Sequence, residues 1–415
     1  MKTLSSFRFL VVLALLCGLF VNAMMAQTGV RYAEPVFDEV HTTKAIPFSS
    51  AIKEGGTTPT TLYLDFYEPM NDPLQARPLV ITVFGGAFVA GGRDYADMEA
   101  YCTRLAKHGY VAASIDYRLL SFFQISQTSL IRDAYMAAQD VSSAIRFFKA
   151  HSEEYRVDTA QVFLLGNSAG SIAILTELFM DESERPAETY EAPDLGPMHS
   201  SGFPEYAGFS PAVAGAIPHW GGVMDLDVID EEEYVPLCMI HGTDDTTVPY
   251  DSGYCYNGIL PNVMPFMYGS HTIAGHLDEI GITDYEFHPF EGETHAFYLS
   301  GIGTLIESKF NACFNITRDF LYRHLSFPTS MPESETTGIR VYPNPTSERI
   351  TIRVDGIEQN EPCDMVVVDA TGRIMLSTTV SSPVDTLEVS QWPSGVYYIR
   401  IGRDGQRYER KFLKR

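Results

Sequence analysis

The chain alternates short runs of β-branched and aromatic residues with longer segments in which apolar residues recur every three or four positions. Four strands are predicted between residues 61 and 165, from the runs TLYLDFYEP, RPLVITV, YVAASIDYRL and QVFLL. Three further strands are predicted from similar runs at 213–222, 235–242 and 284–292. Residues 95–109, 133–155 and 306–325 have helical periodicity. Strands that alternate with helices predict an α/β fold, with a mostly parallel sheet covered by helices on both faces.

The two ends of the chain depart from this alternation. Residues 1–26 carry Lys2 and Arg8, then an uncharged apolar run and small residues, which is the order of a secretory signal peptide. A membrane anchor is the alternative, but the apolar run from Phe9 to Val21 is shorter than the roughly 20 residues that a spanning helix needs. Residues 328–338 are polar and predict a linker. Residues 339–415 alternate as strands and predict a small, sandwich-like all-β domain.

The central domain, residues 27–327, contains one long irregular segment. Residues 181–210 are rich in Pro, Gly, Ser and acidic residues, and predict either a lid over a binding cleft or a surface loop. Phe122 and Phe123 are expected in the core.

The net charge of −24 disfavours nucleic acid as a partner. The cysteines beyond the signal peptide show no CxxC spacing, so neither a metal site nor a disulfide pattern is predicted; they are Cys102, Cys238, Cys255, Cys313 and Cys363.

The stretch Gly166-Asn167-Ser168-Ala169-Gly170 joins a predicted strand to a predicted helix. Glycines on both sides of a serine allow a strand to turn sharply into a helix with the hydroxyl exposed, which is the nucleophile elbow of serine hydrolases. The hydroxyl then needs a base and an orienting carboxylate, in the chain order serine, acid, histidine.

Two later strands end in residues that suit these roles. The strand at 235–242 is followed by Asp244 and Asp245, and the strand at 284–292 is followed by His295. Asp245 is the predicted acid, with Asp244 as the alternative, and His295 is the predicted base. His241 is expected to be a structural hydrogen-bonding residue, and His219 to pack in the core. The strand ITVF ends in Gly85-Gly86, where bare backbone amides could approach a ligand closely. Together with the amide of Ala169, just after the serine, they are candidate donors to an oxyanion.

Residues 57–325 resemble an α/β-hydrolase esterase of the carboxylesterase and hormone-sensitive-lipase-like group. The resemblance rests on FGGAF (84–88), DYRL (116–119), GNSAG (166–170), HGTDDTTVP (241–249) and GETHAF (292–297). It implies an α/β-hydrolase fold, a triad of Ser168, Asp245 and His295, and oxyanion amides from Gly86, Ala87 and Ala169, with no cofactor. Phe84 replaces the usual histidine of the oxyanion loop, and Ala87 replaces its third glycine.

The C-terminal segment is similar to the sorting domain of Bacteroidota proteins that the type IX secretion system exports. The similarity rests on three stretches of this segment, VYPNPTSERITI, VVVDATGRIML and PSGVYYIRI. A carbohydrate-binding module is the alternative, although no aromatic platform is evident. The similarity implies the secretion machinery as a partner and a secreted or cell-surface location. No membrane span is expected once the signal peptide is removed, because no other stretch of the sequence is long and apolar enough.

These features together predict a secreted serine carboxyl ester hydrolase that forms an acyl-enzyme. Its substrate would be a small-molecule or polysaccharide-linked ester. Three alternatives stay open at this point: a polysaccharide acetyl or feruloyl esterase, a serine peptidase of the prolyl-oligopeptidase type, and a noncatalytic binding protein on a hydrolase scaffold.

Overall fold

A computed structural model describes residues 31–200, 202–230, 234–256, 263–301, 303–325, 339–354, 363–369, 374–380, 382, 384–403 and 406–415. The predicted signal peptide, residues 1–26, and the whole predicted linker, residues 328–338, lie outside these residues. The chain divides into two compact units, Met1–Ser326 and Phe327–Arg415, called here the N-terminal and C-terminal units.

The N-terminal unit is built on a large mixed sheet. Its strands are β1 (Val40–Ile52), β2 (Pro59–Pro69), β3 (Arg77–Val83), β4 (Val111–Ile115), β5 (Val157–Asn167), β6 (Gly215–His219), β7 (Gly222–Val223), β8 (Leu237–Gly242), β9 (Ser252–Tyr254), β10 (Phe266–Gly269) and β11 (Tyr285–Phe290). Eight of them pair in the order β1-β2-β4-β3-β5-β6-β8-β11, and β7-β10-β9 form a small separate sheet. Pairing is antiparallel for β1-β2 and β2-β4, and parallel from β4 to β11.

The helices of this unit are α1 (Ala96–His108), α2 (Gln127–Ala150), α3 (Ser152–Tyr155), α4 (Ala169–Phe179), α5 (Ser270–Glu279) and α6 (Glu307–His324). The central parallel strands are buried along nearly their whole length, as in β3, where all of residues 77–83 are buried. Strands with helices on both faces need apolar side chains on both faces, which explains their continuous hydrophobic runs. The predicted α/β-hydrolase fold is confirmed, although the edge strand β1 was not predicted from the sequence.

The irregular segment at 181–210 contains short 3-10 turns and packs against α2. Arg132 donates hydrogen bonds to the carbonyls of residues 188, 191 and 193, and Gln139 to those of 195 to 197. The expectation that Phe122 and Phe123 lie in the core is wrong. Their exposed fractions are 71% and 97%, because the turn that follows β4 directs them into solvent.

The C-terminal unit is a small all-β domain, as predicted. Its strands are β12 (Ile339–Tyr342), β13 (Arg349–Val354), β14 (Cys363–Asp369), β15 (Ile374–Val380), β16 (Val384–Glu388), β17 (Gly395–Arg403) and β18 (Gln406–Lys414). They form two antiparallel sheets, β12-β13-β16 and β15-β14-β17-β18. Ile350 from the first sheet and Val367 and Ile399 from the second share one core.

Candidate active site

Ser168 lies at the sharp turn between β5 and α4, and its backbone is strained. Its φ of 53° and ψ of −120° place a non-glycine residue at positive φ. A Cβ atom on Gly170 would lie 2.1 Å from the carbonyl oxygen of Val83, and one on Gly166 would lie 2.6 Å from the backbone of Gly170. The two glycines therefore permit the helix to start in contact with its own strand and with β3, which exposes the serine at the edge of the sheet.

Three of the predicted site residues form a hydrogen-bonded row. His295 Nε2 lies 2.8 Å from Ser168 Oγ, and His295 Nδ1 lies 2.6 Å from Asp245 Oδ2. Asp245 comes from the loop after β8 and His295 from the loop after β11, so the parallel sheet brings both to the same edge as Ser168. The side chain of Asp244, the alternative acid, is exposed, and its Oδ1 accepts a hydrogen bond of 3.5 Å from the hydroxyl of Thr243.

The carboxylate of Asp245 is held in its ionised form. Burial by itself would raise the pKa, but hydrogen bonds from His241 and His295 outweigh burial and lower the pKa to about 2. The other oxygen, Oδ1, accepts hydrogen bonds from the amides of Thr247, at 2.8 Å, and Val248, at 3.1 Å. An acceptor of this kind holds the Nδ1 proton of His295, which leaves Nε2 free to accept the proton of the serine hydroxyl.

The loop after β3 runs against the turn that carries Ser168. A Cβ atom on Gly85 would lie 3.0 Å from Ser168 Cβ, so only glycine permits this approach. Gly86, at φ 139°, and Ala87, at φ 54°, follow in left-handed conformations. Ala169 is the first residue of α4, where leading amides have no carbonyl of an earlier turn to bind. The residues predicted to bind an oxyanion are therefore together beside Ser168.

Phe84 braces this loop through its ring and its carbonyl group. The ring is buried and stacks on Tyr117, with centroids 4.4 Å apart. Tyr117 Oη donates a hydrogen bond of 3.0 Å to the Phe84 carbonyl oxygen. A Cβ atom on Gly91 would lie 2.4 Å from the Phe84 ring, so the loop closes tightly around it. Aromatic packing thus supports the loop at the position where the resembled group has a polar histidine.

Two cavities open at Ser168. The first, called here the apolar cavity, has a volume of about 40 Å³, and its walls include Phe88, Ile172, Met224, Met264 and Met267. The second, called here the wide cavity, has a volume of about 380 Å³, and its walls include Tyr95, Asp97, Asn167, Tyr256 and His295. No described residue of 181–210 lines either cavity, so this segment does not cover the serine in this structure.

Several polar residues around the site had no signal in the sequence. Asn167 Nδ2 donates a hydrogen bond of 2.6 Å to the buried carboxyl group of Asp97, and burial raises the pKa of that group. His219 packs in the core, as expected, and burial lowers its pKa to about 3. Its carbonyl oxygen accepts a hydrogen bond of 3.0 Å from the Ser168 amide. These contacts join segments far apart in the chain, so no local pattern indicates them.

One group of potential metal ligands is present among the described residues. Donor atoms of Cys238, Glu286 and His288 all lie within 4.8 Å of one another. Glu286 already accepts a hydrogen bond of 3.0 Å from His288 and forms an ion pair with Arg323, so these side chains satisfy one another. The described cysteines Cys102, Cys238, Cys255 and Cys313 are buried free thiols.

Two family models match the chain. The BD-FAE model matches residues 64–192, and the model of the Secretion system C-terminal sorting domain matches residues 340–415. The first match lies in the N-terminal unit and the second in the C-terminal unit. The predicted resemblance to an α/β-hydrolase esterase with a C-terminal secretion sorting domain is therefore confirmed. The BD-FAE match spans β2 to the loop after α4 and so includes Ser168, whereas Asp245 and His295 lie beyond it.

Sequence relatives of the chain include named esterases. It is 24% identical over 222 residues to the "Probable isoprenylcysteine alpha-carbonyl methylesterase ICMEL1" of Arabidopsis thaliana, a match that covers 46% of this chain and 42% of the relative. It is 31% identical over 140 residues to "Esterase LipC" of Mycobacterium tuberculosis, covering 34% of this chain and 32% of the relative. The chain thus spans less than half the length of each of these two relatives.

Among solved structures, the propionate-bound thermophilic esterase of Thermogutta terrifontis is similar, with 23% identity and a TM-score of 0.45. The match covers 64% of this chain and 90% of that structure. Within the part of the chain that the structure describes, no helix combines the length and the apolar character needed to cross a membrane.

Proposed function

We propose that the N-terminal unit is a serine carboxyl ester hydrolase that forms an acyl-enzyme on Ser168. The observation that carries the proposal is the hydrogen-bonded row from Ser168 through His295 to Asp245, at 2.8 and 2.6 Å. These distances lie within the range that proton transfer to a general base requires. The esterase names of the sequence relatives favour an ester over other acyl substrates.

In this mechanism His295 Nε2 accepts the proton of the Ser168 hydroxyl as Oγ attacks the ester carbonyl carbon. The oxyanion of the tetrahedral intermediate accepts hydrogen bonds from the amides of Gly86, Ala87 and Ala169. The C–O bond to the alcohol then breaks, and His295 donates its proton to the leaving alkoxide oxygen. A water molecule next gives its proton to His295 as its oxygen attacks the acyl carbon. The bond between that carbon and Ser168 Oγ then breaks, and His295 returns the proton to Oγ, which releases the acid and the free serine. Asp245 stays ionised throughout and stabilises the imidazolium.

The cavities suggest which part of the ester lies where. The leaving oxygen must come within hydrogen-bond reach of His295, and His295 lines the wide cavity but not the apolar one. The alcohol part is therefore assigned to the wide cavity of about 380 Å³, and the acyl part to the apolar cavity of about 40 Å³. The apolar cavity thus has about a tenth of the volume of the wide cavity. This favours an acetyl-to-butyryl ester of a larger alcohol over a feruloyl or long-chain ester.

The direct test is hydrolysis of p-nitrophenyl acetate, butyrate and octanoate by the chain without residues 1–26. We expect turnover that falls from acetate to octanoate and is lost in Ser168→Ala. Ser210→Ala serves as the control, because Ser210 is exposed and lines neither cavity. Equal background rates for wild type and Ser168→Ala on every ester would contradict the proposal. Cleavage of prolyl peptides without ester turnover would instead support the peptidase alternative.

We propose a secreted or cell-surface location, with residues 1–26 as the signal peptide and the type IX machinery as the partner of the sorting domain. The match of residues 340–415 to the sorting-domain family supports this proposal. Expression in a type IX-competent host should place ester hydrolysis on the cell surface or in the medium. Deletion of residues 339–415 should retain the enzyme in the periplasm. Unchanged export after that deletion would contradict the assignment.

A further inference from the structure

His241 lies directly behind the carboxylate of Asp245. It is part of β8, its side chain is fully buried, and the serine mechanism proposed above does not use it. Its Nε2 atom lies 3.3 Å from Asp245 Oδ2, the same oxygen that accepts the hydrogen bond from His295. A buried imidazole in this position is more than a packing residue, because its ring nitrogens must find hydrogen-bond partners.

The partners of His241 determine which nitrogen carries the proton. Nε2 lies 3.2 Å from the carbonyl oxygen of Val248, which can only accept a hydrogen bond. Nε2 is therefore protonated and is shared between Val248 and Asp245. Nδ1 lies 2.9 Å from the hydroxyl of Ser270, the first residue of α5, and this hydroxyl can donate to it. The ring is thus held in one tautomer with its Nε2–H group directed at the carboxylate.

The contacts close a ring around the acid. Asp245 Oδ1 accepts the amides of Thr247 and Val248, and Oδ2 accepts His295 and His241. Because His241 also binds the Val248 carbonyl, the same imidazole fixes the loop that supplies the amides. All four donors together fix the side-chain torsions of Asp245, so that Oδ2 faces His295 at 2.6 Å.

We propose that His241 is a positioning residue for the reaction, one that acts through Asp245 to hold His295 in line with Ser168. This inference rests on the proposed esterase function. A misplacement of about 1 Å in a reacting group can cost on the order of 100-fold in rate. We therefore expect loss of the His241 donor to lower kcat by roughly 10- to 100-fold and to leave KM nearly unchanged, since His241 lines neither cavity.

A pair of variants separates positioning from packing. The amide of glutamine reaches as far as Nε2 of histidine, whereas the amide of asparagine reaches only as far as Nδ1. His241→Gln can therefore still donate to Asp245, and His241→Asn cannot. We expect His241→Gln to retain most of the wild-type kcat and His241→Asn to lose it. A packing role alone would lower the melting temperature of both without separating their kcat values.

The pH profile supplies a second readout. The titratable groups that face His241 are Asp245 and, edge-on at 5.8 Å, Tyr250. Loss of the His241 donor changes both the position and the basicity of the Asp245 carboxylate that His295 contacts, so the acidic limb of kcat/KM should move in His241→Asn and stay in place in His241→Gln. Equal kcat values and unmoved limbs in both folded variants would overturn the inference.

Two controls distinguish a failure of the proposed esterase function from a failure of the inference about His241. Absence of ester turnover in the wild type would refute the proposed function itself, whereas wild-type turnover with unaffected His241 variants would refute only this inference. If the His241 variants do not fold, Ser270→Ala replaces them, because it removes the donor to Nδ1 and leaves the imidazole in place. It should lower kcat and move the acidic limb in the same direction by a smaller amount; no change in either would overturn the inference.

Discussion

Gly170→Ala is expected to damage both stability and hydrolysis, although alanine favours a helix over glycine. Gly170 lies in the first turn of α4, where the helix touches the end of β3. The new Cβ atom would lie 2.1 Å from the Val83 carbonyl oxygen and 2.7 Å from the Phe84 carbonyl oxygen. Ordinary contact begins near 3.4 Å, so the helix start would have to retreat by about 1.3 Å.

The magnitude follows from two opposing effects. Replacing glycine by alanine within a helix stabilises it by about 1 kcal/mol. Forcing one extra carbon into a packed interior costs about 1–3 kcal/mol, and the contact here is with backbone atoms that cannot rotate away. Because these backbone atoms cannot move aside, the cost lies in the upper part of that range, at about 2–3 kcal/mol. After the gain of about 1 kcal/mol, we expect a net loss of about 1–2 kcal/mol, or roughly 2–8 °C in melting temperature. The retreat also displaces Ser168, which we expect to lower kcat about 100-fold.

Gly275→Ala provides the matched control. Gly275 is an exposed position in α5, and its built Cβ atom meets nothing within 4 Å. The same substitution should therefore stabilise the protein by about 0.5–1 kcal/mol and leave hydrolysis unchanged. Thermal unfolding followed by fluorescence in a Trp392→Phe background reports on Trp220 of the N-terminal unit, because the chain has two tryptophans. A Gly170→Ala variant that is as stable and active as Gly275→Ala would refute the close contact between α4 and β3.

Three further predictions concern buried polar groups. Burial raises the pKa of Glu177 from 4.5 to about 8. The folded state therefore binds the proton of this carboxyl group more tightly than the unfolded state does, and the stability gained from that proton falls as pH rises between these two values. Urea unfolding should show Glu177→Gln gaining stability over wild type from pH 5 to 8, and parallel profiles would contradict this. Asp140→Asn removes the charge that Arg118 contacts at 2.9 Å, so calorimetry should show a loss of about 3–5 kcal/mol; a loss below about 1 kcal/mol would contradict the buried pair. Tyr117→Phe removes the hydrogen bond to the Phe84 carbonyl, which should cost about 1–3 kcal/mol in urea unfolding and slow ester hydrolysis; unchanged stability would show that ring stacking alone braces the loop.

The sequence by itself determined the fold class, the position of the sharp turn and the two-domain plan. Apolar periodicity, the glycines around Ser168 and the turn residues of the C-terminal strands are local patterns, and backbone sterics act over the same short range. The order of Ser168, Asp245 and His295 along the chain was also readable, because each follows a predicted strand of one parallel sheet. A parallel sheet brings the carboxyl ends of its strands to one edge.

Only the tertiary structure shows that Asp245, and not Asp244, contacts His295, because the side chains of neighbouring residues point in different directions and no sequence pattern records this. It also showed that residues 181–210 pack on α2 instead of covering Ser168, and that Phe122 and Phe123 face solvent. The two cavities and the contact of His241 with Asp245 depend on side chains from strands and helices far apart in the chain. Long-range packing sets these distances, so no periodicity or spacing along one sequence could indicate them.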